Sequence, residues 1–246
     1  MFVKTQAIVL HKIKYSDSDA IVCLYSREFG RISYLVSNKS KKSKLSQSLL
    51  QPLSLIEYEG EHKGSRELQR LREAHCYQPF ADLPLNPYKN AISLFLSEVL
   101  YRVLMEEERN LPLYDYLEHG IQMLDLSEKG TANFHLAFLI HLTKFLGFYP
   151  NLEENRPHWY FDLAAGSFCP VRPPHNAWLS PEDAARFATL LRMNFDNLHL
   201  FRFDRHQRTD LLRQILDYYR IHLTDFPEIK SLTILEEMFD DQVLPH

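Results

Sequence analysis

Glycine, cysteine and long apolar runs are all scarce in this sequence of 246 residues. The seven glycines form neither GxGxxG nor GxxxxGK[ST], so both familiar glycine loops that cradle phosphates are excluded. The three cysteines are too far apart for a CxxC pair, and such a sparse, odd set without a signal peptide is typical of a reduced compartment. The uncharged run that includes Ala132 to Thr143 is shorter than a membrane span and contains two histidines. The sequence therefore predicts a cytoplasmic protein that is neither secreted nor inserted in a membrane.

Catalytic and metal-binding motifs are missing as well. The chain contains no GxSxG and no HExxH. His158, Cys169 and His175 are the only candidates for a zinc cluster, and they lack the close ligand pairs of structural zinc sites. The carboxylates of Asp17 and Asp19 have no further acidic residues at ligand spacing, so a turn is the better interpretation of that segment. We expect no catalytic residue, no metal and no cofactor.

Charge is divided unevenly along the chain. Residues 1–80 carry 13 lysines and arginines against 8 acidic residues, whereas residues 81–246 carry 15 against 24. The formal net charge of -4 therefore hides a basic first third. This asymmetry predicts a basic module that meets polyanions, joined to an acidic module with another role.

The first eighty residues have the composition and spacing of short strands. Segments rich in Val, Ile, Leu and Tyr, separated by turn residues, predict five strands at 3–13, 19–26, 31–37, 53–59 and 66–77. Gly30 supplies positive φ in the turn before the third strand. Five such strands favour a small closed barrel, of which the OB-fold is the commonest, with an SH3-like barrel as the alternative.

The pattern changes to helical spacing after Pro79. Proline and cap signals with apolar stripes predict helices at 87–108, 113–126, 133–146, 180–193, 209–223 and 229–239. Residues 151–178 contain several prolines and are predicted as a loop with a weak hairpin. The predicted fold class is α+β, with a small five-stranded barrel at 1–80, of the OB-fold or the SH3-like type, and an all-helical domain at 81–246 that carries an irregular insertion at 151–178.

The sharpest basic feature directly follows the third strand. It is a lysine loop of four lysines spaced by serines, a pattern that suits phosphate contact without sequence preference. A solvated surface loop is the alternative. With other basic side chains of the barrel, the predicted DNA-binding residues are Lys12, Lys14, Arg31, Lys39, Lys41, Lys42 and Lys44.

The acidic half has one basic exception, the segment from His199 to Arg213. Its arginines alternate with Phe201 and Phe203, a combination that can dock an acidic, apolar-ended peptide. The alternative, which the sequence favours more, is a helix entry whose arginine stems cover the edge of the core.

At full length the chain resembles the bacterial DNA repair protein RecO family, the recombination mediators. The resemblance rests first on KTQAIVLHKIKYSDSDAIVCLYSREFGRISYLV, and continues through the lysine loop KSKKSK and the segment LQPLSLIEYE. It resumes at FLIHLTKFLGFYPN, DYYRIHL and IKSLTILEEMF. The resemblance implies an N-terminal OB-fold, a helical domain and no catalysis.

The resemblance also implies partners. These are single- and double-stranded DNA, the acidic C-terminal tail of single-strand-binding protein, and a RecR-type mediator protein. The implied activities are annealing of complementary strands and help in loading recombinase onto coated strands. The basic residues of the helical half that could bind the acidic tail of single-strand-binding protein are Lys144, Arg186, Arg192, Arg202, Arg205 and Arg208.

One departure and two rival interpretations stay open. Many members of the family carry a four-cysteine zinc module where residues 151–178 lie, and here only Cys169 is present, which puts zinc in doubt. An RNA-binding barrel protein has the same charge pattern as a DNA-binding one. A hydrolase with its site in the helical half is the second rival, which the missing motifs argue against.

Overall fold

The computed structural model describes residues 2–37, 47–63, 68–153 and 156–240. Its first part is a closed barrel of five strands. The strands are β1 (Phe2–Lys14), β2 (Asp19–Ser26), β3 (Gly30–Ser37), β4 (Leu55–Glu61) and β5 (Leu68–Gln78). All five lie within two residues of their predicted positions, because alternation of apolar and polar residues sets both strand identity and buried face.

The order of strands around the barrel identifies its type. The neighbours run β1-β2-β3-β5-β4, with β1 closing the barrel by pairing with both β2 and β4. β3 and β5 pair in parallel, and the other pairs are antiparallel. A five-stranded Greek-key barrel of this kind is the OB-fold. The prediction of an OB-fold rather than an SH3-like barrel is confirmed.

The barrel interior is filled by aliphatic and tyrosine side chains. Val22, Leu24, Tyr34 and Tyr58 belong to its buried cluster, and the Tyr34 and Tyr58 rings meet edge to face at 5.1 Å. A short 3₁₀ turn at Gln47–Leu50 adds the buried Leu50 to the same cluster. The barrel interior is therefore a packed apolar core.

The remaining long elements are helical, as predicted. They are α1 (Pro87–Val103), α2 (Leu111–Leu126), α3 (Phe134–Phe145), α4 (Pro181–Leu190), α5 (Arg205–His222) and α6 (Ser231–Asp240). Asn86 caps α1 by accepting from the backbone N–H of Tyr88 and Lys89. Ser180 caps α4 by accepting from the Asp183 N–H. These caps satisfy N–H groups that the helices leave without internal partners.

Two predicted helix limits were wrong by four residues or more. α1 ends at Val103, not at 108, and the chain turns extended at Leu104. Three consecutive glutamates at 106–108 would oppose the negative end of the helix dipole, and Arg31 of the barrel binds the last carbonyls instead. α5 begins at Arg205, four residues earlier than predicted, because Asp204 and Gln207 form a reciprocal capping box.

The predicted insertion contains a small sheet. β6 (Tyr160–Asp162) and β7 (Ser167–Cys169) form a hairpin, and β8 (Trp178–Leu179) pairs with the other side of β6. The buried Phe161 of β6 packs against Phe168, Phe187 and Tyr218 at ring-centroid distances of 5.0, 5.1 and 6.1 Å. An aromatic cluster thus holds this segment to α4 and α5.

Contacts divide the chain into two compact units. The first covers Met1–Leu126 with Ile229–Met238, and the second covers Ser127–Glu228 with Phe239–His246. Helices α1 and α2 therefore group with the barrel in space, while the sequence-based domain boundary at residue 80 stays a prediction. Along the described ranges, no helix is both long and apolar enough to cross a membrane.

Candidate functional site

The barrel places the two predicted β1 lysines on the inner side of their strand. Lys12 pairs with Val22, and Lys14 pairs with Ala20, both of which are buried. The lysine stems therefore start beside the core and extend outward, leaving the Lys14 side chain 77% exposed. Its ammonium lies 3.3 Å from Asp17, an exposed pair that holds it only weakly. The Lys14 ammonium thus remains accessible to a phosphate, and Lys12 is partly exposed.

Arg31 has a structural role in addition to its predicted one. One guanidinium nitrogen donates to the carbonyls of Tyr101 at 2.8 Å and Leu104 at 3.0 Å. The same guanidinium lies over the Tyr101 ring, 4.6 Å from its centroid. Arg31 thus caps the C-terminal end of α1, and its DNA contact, which stays a prediction, would have to use the remaining donors.

The lysine loop falls outside the described residues. Lys39, Lys41, Lys42 and Lys44 follow β3, whose last residue is Ser37. Their predicted phosphate contacts stay a prediction.

The outer surface of β1, β4 and β5 carries what we call the charged face, formed by Lys4, Glu57, Glu59, Arg72 and His75. Lys4 lies 2.6 Å from Glu57, and Arg72 lies 2.6 Å from Glu59. His75 approaches Glu57 at 3.1 Å. The hydrogen bond to Glu57 raises the pKa of Lys4, and the same bond lowers the pKa of Glu57. Because its acids already neutralise its cations, this face is poorly suited to a phosphate backbone.

The segment from Ser16 to Asp19 forms a turn, as predicted. The Ser16 hydroxyl accepts from the N–H groups of Ser18 and Asp19, while the Asp19 carboxylate accepts from the hydroxyls of Ser16 and Ser18. The Asp19 carboxylate therefore points into the turn that connects β1 and β2.

The six predicted partner-binding cations differ in their surroundings. Arg186 is held by Glu182 at 3.3 Å and Asp183 at 2.9 Å. Arg208 donates to the Phe203 carbonyl, and partial burial lowers the pKa of its guanidinium. Lys144, Arg192, Arg202 and Arg205 are exposed. Their role in binding stays a prediction, and of the six only Arg192 lines the cleft described next.

The second unit contains a half-open cleft of about 410 Å³. Its apolar wall comes from side chains such as Trp159, Phe168 and Pro181, and its cations are Arg156 and Arg192. The Arg156 guanidinium lies 5.3 Å from the Trp159 ring centroid. An apolar slot with two guanidinium groups suits a ligand that joins a ring to carboxylates. We name this the Trp159 cleft.

Sequence reasoning missed most of the Trp159 cleft. Arg156 and Trp159 lie in the segment that was predicted as an irregular insertion, close to His158, which also lines the cleft. The signal was the run RPHWY at 156–160, which combines an arginine, a histidine and two large rings. Arg192, which follows α4, joins the same site because α4 packs beside residues 156–159 in the folded chain.

The three zinc candidates have separate surroundings. His158 lines the Trp159 cleft, while His175 lies 3.2 Å from Asp162. Burial raises the pKa of the Cys169 thiol, which disfavours the thiolate that a metal needs. Across the ranges that the structure describes, no group of three His, Cys, Asp or Glu side chains is arranged to hold a metal ion.

Comparison with known proteins agrees with this architecture. Residues 1–80 match the family model "Recombination protein O N terminal", and residues 84–232 match "Recombination protein O C terminal". The DNA repair protein RecO of Phocaeicola vulgatus is 48% identical over 240 residues, covering 97% of this chain and all of the relative. Those of Bacteroides fragilis and Flavobacterium psychrophilum are 46% and 35% identical, covering 98% and 97% of this chain and all of each relative. An OB-fold barrel, a helical region and full-length similarity converge, and the chain belongs to the recombination protein O family of DNA repair proteins.

Proposed function

We propose that this protein acts in the cytoplasm as a non-enzymatic mediator of recombinational DNA repair. It binds single- and double-stranded DNA, anneals complementary strands, and helps load recombinase onto strands coated by single-strand-binding protein. The observation that carries the proposal is the OB-fold topology of the barrel in a chain similar to RecO proteins over its full length. OB-folds bind oligonucleotides on their outer strands and loops.

The DNA-binding part of the proposal is tested through salt dependence. Each phosphate that a lysine neutralises releases counterions, so log K falls with log salt by about 0.9 per duplex contact. Replacing Lys39, Lys41, Lys42 and Lys44 by Glu is expected to weaken binding to all sequences alike and to flatten that slope. Gel-shift titration at several salt concentrations measures both quantities. An unchanged slope would remove the lysine loop from the interface. A competing RNA strand of equal length, preferred over DNA, would favour an RNA-binding protein instead.

The partner-binding part of the proposal concerns the Trp159 cleft. The tail of single-strand-binding protein, as the family resemblance implies, combines carboxylates with a terminal phenylalanine. Arg156 and Arg192 would pair with the carboxylates, and the apolar wall between them would take the ring. A RecR-type protein is the second expected partner, on the strength of the family alone.

This assignment predicts different outcomes for two exposed cations. Arg192→Glu is expected to weaken binding of a labelled tail peptide more than tenfold, since it puts a repulsive charge in a partly desolvated site. Lys144→Glu is the matched control, because Lys144 is exposed on α3 and does not line the cleft. Fluorescence anisotropy with the full-length protein gives both affinities. Loss of binding in the control alone would move the site away from the cleft.

A further inference from the structure

The walls of the Trp159 cleft are carried by the three strands of the small sheet. Trp159 directly precedes β6, Phe168 is the central residue of β7, and Pro181 follows β8 by two residues. These strands are three, three and two residues long, and so short a sheet is held only weakly by its own hydrogen bonds. The shape of the cleft therefore depends on side chains that fix the strands to one another.

The two faces of the small sheet are held in different ways. On the inner face, Phe161 of β6 and Phe168 of β7 belong to the aromatic cluster. Because successive strand residues point to opposite faces, Tyr160 and Asp162 lie on the outer face, where both are partly exposed. Polar contacts rather than apolar packing hold this outer face.

Asp162 joins three parts of the chain on the outer face. One carboxylate oxygen accepts from the N–H groups of Ala164 and Ala165, at 2.8 and 3.0 Å, in the turn between β6 and β7. The other oxygen lies 3.2 Å from Nε2 of His175, in the loop that leads to β8. Nδ1 of His175 accepts from the Ala177 N–H at 3.2 Å, so the ring hydrogen is on Nε2 and is donated to Asp162.

The loop between β7 and β8 is attached at a second point. The Arg172 guanidinium lies 4.5 Å from the centroid of the Trp178 ring, which meets the Tyr160 ring edge to face at 5.4 Å. Trp178 is also the residue of β8 that pairs with Asp162 of β6. The loop is thus fixed through Trp178 at one point and through the Asp162–His175 pair at the other.

We propose that Asp162 and His175 are positioning residues of the Trp159 cleft, which hold the three strands in the arrangement that an acidic, ring-bearing peptide requires. The proposal rests on the peptide-binding role proposed above for the cleft. It adds two residues that act on the site through other residues, since neither is among the described residues that line the cleft. Without the pair, the loop before β8 is released, and Pro181 is no longer fixed relative to Trp159. A site that loses such support binds its ligand more weakly, although the same groups line it.

Substitution of His175 tests the proposal. His175→Ala removes the donor to Asp162, and we expect affinity for the labelled tail peptide to fall by roughly fivefold, near the upper limit of what an exposed pair contributes. His175→Gln again supplies an N–H donor and a carbonyl acceptor, and is expected to restore affinity to within about twofold of the wild type. Fluorescence anisotropy with the full-length protein gives all three affinities.

A matched ion pair elsewhere in the second unit separates positioning from stability. Asp217→Asn disrupts an exposed pair of α5, in which Asp217 and Arg220 lie 2.6 Å apart, and neither residue is among the described residues of the cleft wall. The peptide affinity of this control should equal that of the wild type. The midpoint of urea unfolding should shift by a similar small amount in His175→Ala and in the control, because exposed pairs contribute little to stability.

Several results would contradict the positioning role. One is an unchanged peptide affinity in His175→Ala, and another is a loss that His175→Gln does not restore. A loss of affinity with a much larger shift of the unfolding midpoint than in Asp217→Asn would also overturn it, because the pair would then act on stability alone. In each case the wild-type protein still binds the peptide, and the proposed function of the cleft stands. A wild-type protein that does not bind the peptide would overturn both proposals.

Discussion

At the scale of single residues, the turn between β2 and β3 depends on Gly30. Its φ is +63°, in the left-handed region, as the sequence predicted. A β-carbon there would also overlap the carbonyl oxygens of Glu106 and Glu108, which are backbone atoms and cannot rotate away. Gly30 therefore allows the barrel to approach the segment that follows α1.

Gly30→Ala is expected to lower the free energy of unfolding by about 2 kcal/mol or more, from backbone strain and overlap together. Gly147→Ala is the control, because Gly147 has φ of +86° but nothing within 4 Å of an added β-carbon. The Gly147→Ala substitution should lower the free energy of unfolding by about 1 kcal/mol, from backbone strain alone. Urea unfolding of the two variants gives the comparison. Equal losses of stability in the two variants would show that overlap with the Glu106 and Glu108 carbonyls adds nothing to the cost of Gly30→Ala.

Substitution of Arg31 tests whether this predicted DNA-binding residue chiefly stabilises the fold. Arg31→Ala leaves the carbonyls of Tyr101 and Leu104 without their donor, and we expect a loss of about 2 kcal/mol in urea unfolding. Arg72→Ala, which removes an exposed ion pair with Glu59, should cost less than about 1 kcal/mol. Unchanged stability with a flatter salt slope for DNA binding would instead assign Arg31 to phosphate contact.

At the scale of elements, the start of α6 depends on a carboxylate from α1. Glu98 accepts from the N–H groups of Lys230 and Ser231 and from the Ser231 hydroxyl. Burial alone would raise the pKa of Glu98, but these donors outweigh it, so the pKa is lowered. Glu98 thus supplies the N-terminal cap that α6 would otherwise take from its own chain.

Glu98→Gln is expected to destabilise the protein by about 1 kcal/mol at pH 7, the usual value of an N-terminal cap. Because the folded pKa is depressed, the contribution is present above the unfolded pKa and lost as pH falls through the folded pKa. The difference between wild type and variant should therefore shrink on acidification. Urea unfolding at neutral and acidic pH measures it, and a difference that grows in acid would contradict the cap.

Aromatic packing holds the insertion at residues 151–178 against the neighbouring helices. Phe161, Phe168, Phe187 and Tyr218 bring the hairpin, α4 and α5 into one aromatic cluster. Large buried rings contribute apolar area that a short sheet cannot supply by itself. The same packing positions the Trp159 cleft, whose wall includes Phe168.

At the scale of the whole molecule, the barrel and the first two helices share one packed interior. Ile8 and Tyr25 lie on the outer side of the barrel, yet both are almost completely buried. The Tyr25 ring stacks with Tyr114 of α2 at 6.4 Å, and Ser97 of α1 donates to the Leu10 carbonyl. The predicted domain 1–80 would therefore expose apolar surface if it were produced alone.

A fragment of residues 1–126 is accordingly expected to unfold at a higher temperature and to aggregate less than a fragment of residues 1–80. The physical reason is that α1 and α2 cover the outer side of β1 and β2, and burying that apolar area is stabilising. Thermal unfolding and light scattering of the two fragments make the comparison. Equal behaviour would support the boundary at residue 80 as a folding boundary.

Structural features that depend on a few consecutive residues could be predicted from the sequence. Asp19–Ser26 was predicted to the residue as a strand, Pro87 and Ser180 marked helix starts, and Gly147 marked the end of α3. Alternation, caps and positive φ depend on a few consecutive residues, so the amino-acid order alone fixes them. The OB-fold followed from the number and length of the strands.

The tertiary structure alone decided which surfaces these elements present. Strand register put Lys12 and Lys14 on the inner side and aligned Ile13, Ile21 and Leu35 on the outer side. Arg31 ended α1 five residues early, and α4 brought Arg192 to the Trp159 cleft. Each of these arrangements joins residues from separate elements, so it depends on pairing and packing across the chain, which no local pattern encodes.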